Sequence, residues 1–549
     1  MLFNGTRRRA SHLDMRPLLV MACLAVLGAR NPDRARRDRV ASVPTDTLPP
    51  RDSALHALNR LAYGPRPGEV DRVAAMGVMH WIDQQLEPER LPDRVLARRE
   101  REFQLLRTDD AELAQMFQAA RREQEERRRA RTDGMMEPGM NDPQAGERQR
   151  VAAQLQQLVV LRAVVSERQL QEVMTDFWIN HFNVYWAKGA DRVYMPSYVE
   201  QVIRPRVLGK FSDLLIATAQ SPAMLFYLDN WESVATGASP PAQGPRGQSQ
   251  RALARQPKGP NENYARELME LHTLGVDGGY TQRDVQEVAR LFTGWSIARP
   301  AQGGRFEFNE WAHDYGEKTI RGVRFPAGHG MDEGIRLLKI LANDPATMHH
   351  VSRRLCARFV ADEPLDGCVD AAAGAWARTN GDIRQVLRAI FQSPEFWSRE
   401  ARRAKVKTPL EFLISAVRAV GGDPDTTPRL AQIVTRLGQP LYLEPSPAGY
   451  PESQEDWVNS GALLQRMNTA VALAEGRLPG VSVALDGLLP ATANADSLLE
   501  ALDRSLLGGI ISDHTRDVVR RETADVHDPA IARALVLGFA LGGPEFQRQ

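Results

Sequence analysis

Glu267, Glu270 and His272 stand within two helical turns of one another in the stretch Asn261 to Trp295, NENYARELMELHTLGVDGGYTQRDVQEVARLFTGW. Carboxylates one turn apart are the residue types of a general acid/base pair, or of metal ligands once other elements add donors. On a helical wheel Asn263, Glu267 and Glu270 share one side, and Tyr264, Leu268 and Leu271 form the apolar stripe beside them. His272 falls on the far border of that stripe, so the two acids are neighbours while the imidazole points away from Glu270. This helix alone is therefore a poor frame for a compact Glu-Glu-His site. The same acids also have a plainer use, in which Glu267 pairs with Arg266 or with Arg290 of the following helix.

A second histidine is placed more unusually. A helix predicted from Ser166 to Phe182 centres His181 in an apolar stripe with Leu170, Met174 and Phe177, leaving Asp176 and Asn180 on its polar side. Such a histidine is either a core residue with both nitrogens satisfied or a ligand facing a cavity. His313, Asp314 and Lys318 lie in an irregular segment after Trp295, where binding residues are often carried; a turn in which Asp314 bonds its own backbone is the alternative. If His181, Glu267, His272 and His313 converge, a divalent metal site follows. The sequence carries no P-loop, Gly-x-Ser-x-Gly elbow, His-Glu-x-x-His or dinucleotide fingerprint.

The elements that must position these residues are mostly helical. The expected fold class is all-α: a large multi-helix, bundle-like single domain from 53 to 545, with a small β-hairpin insertion near residues 296–328. Mobile loops are expected at 132–148 and 232–260, where Gly, Pro, Ser and Gln accumulate. Ser53 is the expected cap of the first helix, and Ser166 with Gln169 and Thr408 with Glu411 read as capping boxes. With 70 Lys+Arg against 69 Asp+Glu the formal charge is +1, which gives no field for nucleic acid. The Arg121–Arg131 run alternates with acids and reads as a solvated helix face.

Arg7, Arg8, Arg9 and Arg16 precede the apolar run Leu18 to Ala29, the pattern of a signal peptide over 1–29 followed by a spacer over 30–52. Met15 is a second candidate start. The expected location is therefore periplasmic or extracellular, with no transmembrane segment in the mature chain. Cleavage would remove Cys23 and leave Cys356 and Cys368, which either form a disulfide or remain as a buried thiol and a loop thiol.

Several blocks in order resemble one family. They are His56-Ala-Leu-Asn-Arg-Leu with Tyr63-Gly-Pro, Phe177-Trp-Ile-Asn-His-Phe, Asn261 to Trp295, and His313-Asp-Tyr-Gly-Glu-Lys-Thr. Lys407-Thr-Pro, Gly438-Gln-Pro-Leu-Tyr and Pro445 to Tyr450 with Trp457 follow. The chain resembles the bacterial domain of unknown function 1800 family from about Ser53 nearly to its end. Tyr450 stands where that family commonly has tryptophan. The resemblance implies an exported protein, often encoded beside a second family similar to sulfatases, and it supplies no catalytic or ligand residues. Two readings follow. One is an enzyme, a metal-assisted hydrolase or oxidoreductase, with a His/Glu site between the 166–182 and 261–274 helices and the 313 loop. The other is a non-catalytic scaffold or partner-binding protein of the envelope.

Overall fold

A computed structural model describes residues 48–132, 145–239, 259–484 and 494–549. The expected signal peptide, Cys23, the spacer as far as residue 47 and most of the two expected loops lie outside the described residues. Within them the chain is a helical array, and buried apolar side chains from Ala54 to Phe546 form one connected cluster. No helix among the described residues is long and apolar enough to cross a membrane.

The β insertion consists of two antiparallel pairs, Trp295–Ile297 with Phe306–Phe308 and Lys318–Ile320 with Val323–Phe325. A third pair, Asp423–Pro424 with Val481–Ser482, was not expected. Two residues a side are too few to show the alternation by which strands are recognised.

Buried guanidinium groups tie the helices together. The Pro409–Ala419 helix opens with the expected capping box: the Thr408 hydroxyl accepts the Glu411 amide at 3.2 Å, and the Glu411 carboxylate accepts the Thr408 amide at 2.8 Å. All residues of this helix are buried. Its Arg418 is admitted because every arm has a partner: Nε donates to the Gly64 carbonyl (2.8 Å), one Nη to Val164 (2.9 Å) and the other to Glu69 (3.0 Å). A buried cation without these acceptors would destabilise the core by several kcal/mol. Glu411 also meets Arg358 at 2.6 Å and the Gln549 side chain at 3.0 Å, which fastens the C-terminal strap.

Two capping expectations fail for tertiary reasons. The second helix of the Val151–Trp186 stretch runs Gln169–His181 and has no side-chain cap. Ser166 instead donates to Asp93 (2.6 Å), and buried Gln169 bonds the Ala163 and Ser166 carbonyls while accepting the Tyr63 amide at 3.1 Å. Ser53 lies inside the first helix, Pro50–Leu61, which starts on a proline.

Cys356, late in the Pro345–Phe359 helix, is bonded to Cys368, early in the Asp366–Thr379 helix, and both are fully buried. The loop closed is short, so the cross-link restricts the unfolded chain by about 3 kcal/mol. Replacing both cysteines by alanine should lower the unfolding free energy obtained from urea titration by that amount, with a lower midpoint. An unchanged midpoint would show that the bond contributes nothing.

Candidate functional site

The signature segment begins with a well-made cap. The Asn261 side-chain oxygen accepts the Asn263 and Tyr264 amides at 2.8 and 3.3 Å, and its Nδ2 donates to the Leu228 carbonyl at 2.8 Å. An α-helix runs Glu262–Glu267, then the backbone widens into a π turn over Leu268–Thr273. The Leu274 amide closes that turn on the Met269 carbonyl (2.8 Å), and the Thr273 hydroxyl bonds the Leu268 carbonyl (2.7 Å). A π turn inserts one residue into the helical register, and such turns recur at functional sites. Here it buries His272 while Glu267 and Glu270 stay half-buried on the other side.

His181 and His272 do come together, with ring centroids 6.3 Å apart, and His350 joins them at 6.5 Å from His181. His181 is fully engaged, whereas the buried Nε2 atoms of His272 and His350 have no partner among the described residues. His181 Nε2 lies 3.1 Å from the His272 carbonyl, and Arg354 lies 2.8 Å from Nδ1. Arginine can only donate, so Nδ1 carries the lone pair, Nε2 carries the proton, and the ring is neutral. Arg354 in turn donates to Glu452 at 3.0 Å and lies over the Phe177 ring. Of the two expectations for His181, the satisfied core residue is the one the geometry matches. Burial, then the Arg354 charge, holds His181 well below the usual imidazole range. The same two causes lower His272 to about 3 and His350 to about 4. His350 lies against the Leu271 carbonyl and beside Gly275, whose φ of 84° and contact with that ring leave no room for a side chain.

His313 belongs to a different cluster. Its Nδ1 bonds the Thr293 carbonyl (2.8 Å) and its Nε2 lies 3.2 Å from Glu333, which also meets buried Lys318 at 2.6 Å. Asp314 accepts the Gly316 amide at 2.8 Å, the turn bond expected of it, and pairs with Arg290 at 2.8 Å. His313, Asp314 and Lys318 are thus saturated within the insertion. Among the described residues no three His, Cys, Asp or Glu side chains are grouped to hold a metal ion.

The two acids differ from these clusters. Glu270 accepts the Tyr280 hydroxyl at 3.1 Å, which together with burial raises that phenol to about 12. Glu267 has no counter-ion among the described residues. Arg266 is engaged with Gln282 (2.9 Å) and Glu262, and Arg290 with Glu287 and Asp314. Partial burial, then the charge of Glu270, raises the Glu267 carboxyl above its ordinary value, and Arg266 only partly opposes this. Exposed Asn263 lies on the same helix. Burial, then the charges of Asp191 and Glu267, raises the Tyr227 phenol, and its hydroxyl donates to the Pro445 carbonyl at 2.8 Å.

Sequence reasoning missed Arg354, His350 and Glu452. A histidine centred in an apolar stripe signals that partners must exist, but nothing local to Arg354 or Glu452 says that they supply them.

The buried imidazoles make stability depend on pH. Unfolded histidine takes up a proton near 6.5, whereas native His272 and His350 resist until about 3 and about 4. The unfolded state therefore binds more protons in this window. Stability is complete above about 6.5 and falls as the pH drops. Between pH 7 and 5 the unfolding free energy from urea titration should fall less steeply in His272→Phe than in the native chain, by a slope that grows to about one proton at pH 5. Equal slopes would mean that His272 titrates normally. The difference between the two proteins separates the imidazole from the carboxylates.

No curated protein and no solved structure matches the chain. A family model described as Protein of unknown function (DUF1800) matches residues 56–548, nearly the whole chain. The blocks that build this site, from the helix of His181 through the signature segment to the Glu452 loop, all lie within that match, and the chain is a member of the DUF1800 family.

Proposed function

We propose that this chain is an exported bacterial enzyme that transfers protons at Glu267, with Glu270 and Tyr280 completing the site. The observation that carries the proposal is Glu267 itself: a half-buried carboxylate beside a second carboxylate, with no cation assigned to either. A structural acid in a folded protein is ordinarily paired, and one held apart from its counter-ions at an energetic cost is the arrangement found where a group must exchange protons near neutral pH. Tyr280 fixes the Glu270 carboxylate, so the two acids have different roles. Glu267 exchanges the proton, and Glu270 supplies the charge that keeps Glu267 basic enough to accept it.

Acid–base chemistry at the carboxylates fits better than a metal, because of His181, His272 and His313 only His272 keeps an unpaired ring nitrogen, Nε2, among the described residues. Both His181 nitrogens are bonded, and His313 lies in the Lys318–Glu333 cluster. Export is supported by the leader pattern in the sequence and by the pairing of Cys356 with Cys368, a bond that persists in oxidising compartments.

Glu267→Gln tests the assignment on two readouts. Removing one of two like charges a turn apart should leave the unfolding free energy unchanged or raise it by about 0.2–0.5 kcal/mol. A structural ion pair would instead lose stability. Incubated with bacterial envelope extract and followed by mass spectrometry, the native protein should convert at least one component that Glu267→Gln leaves intact. Identical profiles from the two folded proteins would overturn the enzyme reading and favour the scaffold.

A further inference from the structure

The Gln169–His181 helix has a second face, and it opens on a cavity. Asp176, half-buried on the polar side away from His181, lines a space together with Tyr63, Arg162, Glu172, Asn180, Tyr442 and Tyr450. The inner volume, as room for the centres of water-sized groups, is about 50 Å³, and the empty space between the walls, open solvent at the mouth included, is about 670 Å³. The segment after Gly438 is held over this gap by Asn180, whose side chain bonds both the amide (2.7 Å) and the carbonyl (2.9 Å) of Tyr450. Gly449 is required there, because a Cβ would stand 2.3 Å from the Asn180 carbonyl oxygen.

Asp176 has no hydrogen bond or ion pair among the described residues, and the nearby cations are all committed. Arg162 lies between Glu100 (2.7 Å) and Glu200 (2.5 Å). Arg204 holds Glu172 (2.6 Å), Arg358 holds Glu411 (2.6 Å) and Arg354 holds Glu452 (3.0 Å). Of the charged residues that line the space, Arg162 is one cation against two carboxylates, Glu172 and Asp176. The walls carry an excess of negative charge. Burial is the main reason that the Asp176 carboxyl rises to about 6; the Arg358 charge opposes the rise, and the Glu411 and Glu452 charges add to it.

We propose that this cavity is a binding site for the protonated amino group of a small ligand. Three tyrosines and one unpaired carboxylate line the space; a carboxylate neutralises an ammonium and aromatic rings attract one. A neutral hydroxyl would leave the charge excess in place, and an anion would add to it. The inner volume takes a headgroup, so the rest of the ligand extends through the mouth. The site is independent of the Glu267 assignment, and its ligand need not be a substrate.

The test measures melting temperature against n-butylammonium chloride, with n-butanol and potassium chloride at matched ionic strength as controls. Butylammonium should raise the melting temperature saturably and butanol should not. The effect should be larger than that of potassium, and it should shrink from pH 7.5 to pH 5 as a proton takes the place of the amine. Asp176→Asn, which removes an unpaired charge, should fold with equal or higher stability and lose the response. Tyr442→Leu keeps the carboxylate and should weaken binding about tenfold. Glu267→Gln should respond like the native protein. No saturable rise in the native protein would overturn the proposal, and so would an equal rise with potassium. An undiminished response in Asp176→Asn or, should that variant not fold, in Tyr442→Leu would do the same.

Discussion

The fold depends on satisfying cations that lie inside it. Arg354 donates to an imidazole on one helix and a carboxylate on a distant loop; Arg418 and Arg358 make equivalent links elsewhere. A guanidinium presents five donors in a fixed plane, so each buried arginine prescribes where neighbouring acceptors must stand. Removing one partner strands the other without water, which costs more than the pair contributes. The charged interior is therefore a set of positional constraints more than a source of net stability. These links bring segments hundreds of residues apart into register around the Gln169–His181 helix.

That helix explains how two unlike environments coexist within a few ångströms. On one side His181 has its two ring nitrogens fixed by a carbonyl and a guanidinium, and the surrounding rings are aromatic. On the other side Asp176 lines open space without a partner. The first face is complete and the second is not. Groups left incomplete inside a well-satisfied protein are where ligands or protons are to be sought. By that criterion Glu267 and Asp176 stand apart from His181, His313, Asp314 and Lys318, which already have what they need.

The helical class, the hairpins after Trp295 and the Thr408–Glu411 box were legible because each is written in local periodicity or in residues three apart. The neighbouring placement of Glu267 and Glu270, with His272 turned away, followed from the wheel even though part of the helix is a π turn. The partners were not legible. Arg266 and Arg290 were the obvious cations for Glu267, yet both are engaged elsewhere, a choice made by tertiary packing. His181 was correctly placed on an apolar stripe, but its partner Arg354 lies 173 residues away. The gathering of four histidines and acids failed because His313 is anchored to the β insertion by Thr293 and sits with Glu333. Asp176 was visible as a polar residue on the same helix; only the cavity distinguishes it from an ordinary exposed acid.

The Arg354 guanidinium locks His181 as a neutral, Nε2-protonated core residue. Nitrogen-15 NMR of protein labelled only at histidine reads this state directly from the two ring shifts and the one-bond proton coupling. The ring whose signals vanish in His181→Phe should be protonated at Nε2 alone and unchanged from pH 8 to pH 5. A ring that gains a second proton in that range, or that carries its proton on Nδ1, would contradict it.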